Sequence, residues 1–291
     1  NIPAGKTVTF TNHPSGAPVV WLVTGNVVID GTVNLNGQRY TVNQFIPTTP
    51  GPGGFAGGKG FTGTPGFASV GFGPGSPNST NFNSASYATL GAGTATGAIY
   101  GNQRIIPLIG GSGGAGDSNA NFSGGAGGGA ILIVATQNIS INGRIQALGG
   151  LGRSSFGDQV GGGSSGAIRL VADSINGSGH IESYGIHGGE GRTRLETLSF
   201  SGSININPVS PINIPDEPLA LWPTDAAPSL KIISIGAHDA PADPNGSPQT
   251  GVLDFQLDNE TTSDIVLQAT NVPSGASVKV RIVPVNGNPV T

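Results

Sequence analysis

Cysteine and methionine are absent from the 291 residues. Without Cys there are no disulfide staples, no thiolate chemistry and no Cys-ligated zinc, so the fold must stand on packing and backbone hydrogen bonds. Charge is scarce as well. Asp, Glu, Lys and Arg make up 10% of the chain, 12 basic against 16 acidic, for a formal net charge of −4. That balance gives no electrostatic hold on nucleic acid or on an anionic membrane. The longest apolar run, Ala130 to Ala135, is far short of the roughly 20 residues of a membrane helix. No His-x-x-x-His pair is present, and no nucleophile elbow, Walker loop or dinucleotide fingerprint stands in a strand-turn-helix context. With Asn1 first and no basic-then-apolar leader after it, the chain reads as a processed or trimmed product.

What the sequence has in excess is glycine, 51 residues, with 22 prolines, which together exclude a helical bundle. The glycines mark a repeat. Gly31-Thr-Val33-Asn-Leu35-Asn-Gly37, Gly143-Arg-Ile145-Gln-Ala147-Leu-Gly149 and Gly179-His-Ile181-Glu-Ser183-Tyr-Gly185 share Gly, a β-branched residue two later and Gly six later. Gly202-Ser-Ile204-Asn-Ile206 keeps the first half. A strand-like run precedes each: 19–23 with 27–29, 131–134 with 139–141, 168–171, and 193–198. The anchors lie 112, 36 and 23 residues apart, the shortest interval being the size of one coil of a parallel β-helix and the excess being loop. In such a solenoid the inward Val, Ile and Leu stack while Gly turns the corners. A β-sandwich with Gly at its turns is the competing architecture. The opening stretch, residues 1–10, reads as a turn and a strand that caps the open end.

Residues 39–128 form an insertion too long for an ordinary loop. Gly51, Gly54, Gly57, Gly60, Gly63 and Gly66 fall three apart, as do Gly110, Gly113 and Gly116, and again Gly185, Gly188 and Gly191. Three residues per turn is the repeat of the polyproline II helix, which has no internal hydrogen bonds and needs neighbours. Pro is too sparse and the runs too short for collagen, which points to a bundle of polyglycine II helices with backbones in close approach. A flexible linker is the alternative. Phe55, Phe61, Phe67, Phe72, Phe82, Tyr87 and Tyr100 punctuate this insertion. They either pack the bundle onto the solenoid wall or, as Phe55, Phe61, Phe67, Phe72, Tyr87 and Tyr100, form a contact surface for a partner such as a glycan.

The stretches Ile2 to Phe10, Val27 to Gly37, Gly127 to Val134, Gly166 to Ala172 and Gly191 to Glu196 resemble motifs of Gly-rich secreted bacterial surface proteins built on a right-handed parallel β-helix. The resemblance covers roughly residues 1–206. It implies an extracellular location and a structural or adhesive role, with no reaction attached.

Beyond Ile206 six prolines within 21 residues make a stiff linker, residues 207–228. Alternating strands follow at 230–235, 252–257, 265–269 and 278–283, and residues 229–291 resemble a bacterial immunoglobulin-like module. At about 63 residues it falls short of the seven strands of that fold: either the sequence stops before the module is complete, or a strand donated by another copy, from residues 1–10 or 208–228, completes it.

His180, Glu182, His187, Glu190, Arg192, Arg194 and Glu196 are the densest polar group, with Arg169 and Asp173 one coil away. Arg169, His180, Glu182 and Arg192 are the candidates for a polar surface groove, catalytic or sugar-binding. Because Arg144 aligns with His180 and Gln146 with Glu182, and both pairs flank the inward Ile145 and Ile181, a paired, solvated face is the plainer expectation. Asp239, Asp243, Asp254, Asp258, Glu260 and Asp264 are candidate Ca²⁺ ligands without an EF-hand spacing.

The sequence therefore predicts an all-β protein: a short parallel β-helix with a large Gly-rich insertion, a Pro-rich linker and a C-terminal β-sandwich module. The expected function is non-enzymatic, the repeating subunit of an extracellular fibre joined head-to-tail to further copies of itself. A glycan-binding surface adhesin is the alternative, and a polysaccharide lyase or hydrolase the third.

Overall fold

Apolar residues recurring at every second position form strands wherever one face can be buried. The computed structural model describes residues 1–42, 46–61, 68–80, 83–118, 121–153, 161–209, 212–213, 229–242, 244, 253–254, 256–257, 263–276, 278 and 280. They are all-β, with no helix among them. In chain order the strands are β1 (Thr7–Thr9), β2 (Val19–Val23), β3 (Val27–Ile29), β4 (Thr32–Asn34), β5 (Ala130–Ile141) and β6 (Arg144–Gln146). There follow β7 (Ala167–Gly177), β8 (His180–Glu182), β9 (Arg192–Phe200), β10 (Asn205–Asn207), β11 (Ile212–Asn213), β12 (Ser229–Ile235), β13 (His238–Asp239) and β14 (Ile265–Thr270).

Two parallel sheets take most of these strands in turn. One has the order β1-β4-β6-β8-β10; the other runs β11-β9-β7-β5-β2, with β3 beside the far half of β5. After β2 and β3 the chain crosses to β4, after β5 to β6, after β7 to β8 and after β9 to β10. The Gly-anchored repeat is the register of the first sheet: Val33 pairs with Ile145 and Ile145 with Ile181. Those three side chains are fully buried in a core shared with Ile131, Ile133, Ile168 and Leu170 of the other sheet.

The fourth repeat is shifted from its expected place. Ile206, not Ile204, pairs with Ile181. The turn before β10 is longer, with Gly202 at φ +94° and the amides of Ser203 and Asn205 bonded to the carbonyls of Gly177 and Gly179. A slip of two residues keeps the same face inward, so Ile204 and Ile206 both pack against the core.

Residues 1–10 do cover the end of the stack, with β1 in parallel register on β4 and Ile2 bridged to Ile29. These residues therefore pair with strands of their own chain. Of the other proposed donor, 208–228, only residues 208, 209, 212 and 213 are described. Residues 212–213, which are β11, lie parallel on their own β9.

Between β4 and β5, β6 and β7, and β8 and β9 the chain leaves the sheets as extended ribbons bonded to one another at intervals of three. The amides of Phe55, Gly58 and Phe61 donate to the carbonyls of Gly111, Gly114 and Asp117 at 2.9, 2.8 and 2.9 Å. Those of Gly111, Gly114 and Asp117 donate in turn to Gly128, Gly125 and Phe122 at 2.8, 2.9 and 3.0 Å. Gly125 and Gly128 reach Gly161 and Ser164, while Gly113 and Gly116 turn to a different neighbour, Phe72 and Ser69. The ribbon at 110–117 thus faces separate partners from successive residues. Glycine is required by proximity here: a Cβ on Gly113 would overlap the carbonyl oxygen of Ala56, and one on Gly127 that of Gly111. Gly63 and Gly66 of the triplet series lie outside the described residues.

The C-terminal unit is a three-stranded antiparallel sheet of order β13-β12-β14. It contains the strands expected at 230–235 and 265–269; the described residues of the strand expected at 252–257, namely 253, 254, 256 and 257, are not in a strand, and most of 278–283 lies outside the described residues.

Candidate functional site

The aromatic residues of the insertion divide into two groups. Tyr87 is fully buried and Tyr100 is 5% exposed, so neither can touch a partner, which corrects their assignment to a contact surface. Their rings pack at 4.4 Å between centroids, and with Ile105 they cover Ala130 and Ala167 on the outer face of β5 and β7. Burying a phenol demands a hydrogen-bond partner. Tyr87 donates to the Ile109 carbonyl at 3.0 Å and Tyr100 to that of Gly110 at 2.7 Å. Desolvation pushes both phenols well above their usual range. These two residues rivet the ribbons to the sheet.

Phe61 is 36% exposed, and Phe55 and Phe72 are half-buried. Phe67 and Phe82 lie outside the described residues. Phe72 lines a cavity of about 490 Å³ together with Asn12, His13, Pro47 and Pro50. A second aromatic group was not singled out from the sequence: Tyr40 and Phe122 meet edge to face at 6.0 Å, with Arg153 over the Phe122 ring at 5.0 Å. No common spacing links three residues so far apart in the chain.

The candidates for a polar groove do not converge. Glu182 lies on β8 and pairs with Arg144 of β6 at 3.1 Å, while Gln146 donates to it at 2.7 Å. His180 is half-buried on the same strand, in register with Arg144. Arg169 belongs to the other sheet, where it and Arg194 both donate to one Glu196 oxygen, at 2.7 and 2.9 Å. Arg192 lies on β9 of the same sheet as Arg169, two residues before Arg194, but its guanidinium sits over Tyr87 at 5.4 Å and donates to the Tyr100 carbonyl at 3.0 Å. It lines a cavity of about 280 Å³ with Arg194, Glu190 and Gln103. The charges are therefore paired within two separate sheets, Arg144 with Glu182 on one and Arg169 and Arg194 with Glu196 on the other, and Arg144 stands in register with His180 and Gln146 with Glu182 as their alignment predicted.

Glu196 carries a pH signature. Burial alone would raise its carboxyl, but the hydrogen bonds and charges of Arg169 and Arg194 outweigh that and hold it below the usual range. A carboxyl depressed on folding adds stability above its unfolded pKa, about 4.3, and loses it as pH falls through the folded value. Urea midpoints of the wild type should therefore drop more steeply below about pH 4 than those of Glu196→Gln, the two converging in strong acid. Parallel profiles would show that the two arginines contribute nothing.

Serines prove as important as the glycines. Ser112, Ser123, Ser164 and Ser165 are fully buried within the ribbons. The Ser112 hydroxyl donates to Tyr100 Oη at 3.0 Å and accepts the Gly75 amide at 2.9 Å, while Ser164 Oγ accepts the Ser112 amide at 2.8 Å. Ser165 ties the Gly149 amide to the Tyr184 carbonyl. Each hydroxyl satisfies a backbone group that the ribbon's neighbours leave over. In sequence, Ser among Gly has the composition of a linker.

Among the described residues no three of His, Asp and Glu gather as a metal site; Asp243, Asp258 and Glu260 lie outside them. No helix of the described residues is long and apolar enough to cross a membrane. The chain matches no protein-family model, no curated protein and no solved structure.

Proposed function

We propose that this chain is an extracellular structural protein, the repeating subunit of a bacterial surface fibre. In this reading the alternating parallel sheets are a short β-helix, the ribbons are a bundle of polyglycine II helices, and the C-terminal unit belongs to a β-sandwich module. The supporting observation is the backbone lattice itself. From β1 to β11 each coil is tied to the next in register, and the ribbons extend that tie through amide-to-carbonyl bonds spaced three residues apart. Such a body takes its cohesion from the main chain and spends few side chains on anything but packing, which suits a mechanical role.

Electron microscopy of the native material tests the proposal. Long, regular threads composed of this chain are the expected result. A particle that light scattering finds monomeric at every concentration would end the fibre reading.

A further inference from the structure

We infer that successive copies join end to end by stacking through both parallel sheets at once, the lower edge formed by β1 and β2 of one copy meeting the upper edge formed by β10 and β11 of the next. The inference rests on the fibre reading and names its joint.

Edge strands expose unpaired amides and carbonyls, and proteins that must stay apart protect such edges with charge, especially Lys. Here the edge strands themselves carry no charge, and the nearest Lys is Lys6, directly before β1. Every charged residue of the two sheets lies on β6 to β9, among them Arg144, Arg169, Glu182, Arg194 and Glu196. The strands at both ends, Thr7-Val-Thr9, Val19-Val-Trp-Leu-Val23, Asn205-Ile-Asn207 and Ile212-Asn213, have none. Among the described residues both ends of the core are also left partly open. Val8, Phe10 and Trp21 at one end, and Phe200, Ile204 and Ile206 at the other, pack against it while only half-buried. On β2, Val20 and Leu22 stand 51% and 52% exposed.

The two ends match each other. In the first sheet the terminal strands β1 and β10 are both three residues long, and each has one β-branched residue at the centre of the same inward lane, Val8-Val33-Ile145-Ile181-Ile206. Setting Val8 of one copy on Ile206 of another continues the lane. It also places Thr7 on Asn205 and Thr9 on Asn207, neutral side chains that can bond from rung to rung as Asn176 and Asn138 do within the chain at 2.9 Å. In the second sheet β2 meets β11. The contact is heterologous, since different surfaces meet, and its operator is close to a translation along the stack, so it propagates instead of closing. The occupant of each edge is therefore a second copy of the chain.

The absence of cysteine makes the test clean. In a parallel pair, residues directly opposite sit about 4.8 Å apart, within reach of a disulfide. Within one chain β1 and β10 are separated by β4, β6 and β8, about 19 Å, so Thr9→Cys and Asn207→Cys can bridge only between copies. Oxidation of the double variant at thread-forming concentration should give a ladder of covalent multimers on a non-reducing gel, with neither single variant giving one. Monomers alone, or dimers at the level of the single variants, would overturn the inference. Thr7→Lys with Thr9→Lys, both at exposed positions, should keep the wild-type melting temperature and shorten or abolish the threads. If the wild type forms threads but the double-cysteine variant gives no ladder, the joint lies elsewhere and the fibre reading stands. If the wild type forms no threads, both fail together.

Discussion

Gly127→Ala should fail to fold, or fold with its stability reduced by at least the roughly 3 kcal/mol at the top of the range for overpacked interiors. The added methyl would sit on the carbonyl oxygen of Gly111, and neither ribbon can retreat. The Gly127 amide is bonded to the Phe55 carbonyl at 2.8 Å, its own carbonyl accepts from Gly51 at 3.0 Å, and Gly111 is held to Gly128 at 2.8 Å. Against a typical total of about 5–15 kcal/mol, such a loss is close to disabling. Gly16→Ala is the comparison. Gly16 sits at φ +69° with no atom within 4 Å of an added methyl, so only the left-handed backbone opposes the change, at about 1–2 kcal/mol. Thermal melts of the two variants decide the matter: if they fall together, close packing of the ribbons is not what the glycines are for.

The second large effect belongs to the core. Ile145→Ala should cost about 2–5 kcal/mol, because the residue is fully buried between Val33 and Ile181 and the rungs on both sides prevent collapse into the cavity. Ile206→Ala, in the same lane but half-buried on the terminal strand β10, should cost clearly less. Urea unfolding of the two variants measures the difference, and equal losses would mean that the lane is not a graded, continuous core.

How far the sequence could be read depended on the distance between the residues concerned. The lane through Val33, Ile145 and Ile181 was legible because each rung repeats one short spacing between glycines, and period-two alternation then fixed which neighbours face outward. That argument also foresaw the register of Arg144 with His180 and Gln146 with Glu182. It slipped at the fourth rung, where Gly202 keeps the anchor but serves a longer turn. For Tyr87 and Tyr100 the sequence left packing against the wall and a contact surface both open, because what covers them, Arg192 and the carbonyls of Ile109 and Gly110, arrives from other parts of the fold. The buried serines were hidden for a related reason. Whether a hydroxyl beside glycine meets water or a neighbouring amide is set by which ribbon lies alongside, and no local pattern records that. The polar groove dissolved because spacing says which face a residue takes, not that Arg169 and Glu182 lie on different sheets.

The ribbons have a thermal consequence. What they remove from water is largely amide and carbonyl, while the hydrocarbon core lies between the two sheets. Exposing apolar surface raises the heat capacity of unfolding, whereas exposing polar surface lowers it. For its size, then, this chain should unfold with a small heat-capacity increment, and its free energy should vary little from icy water to warm.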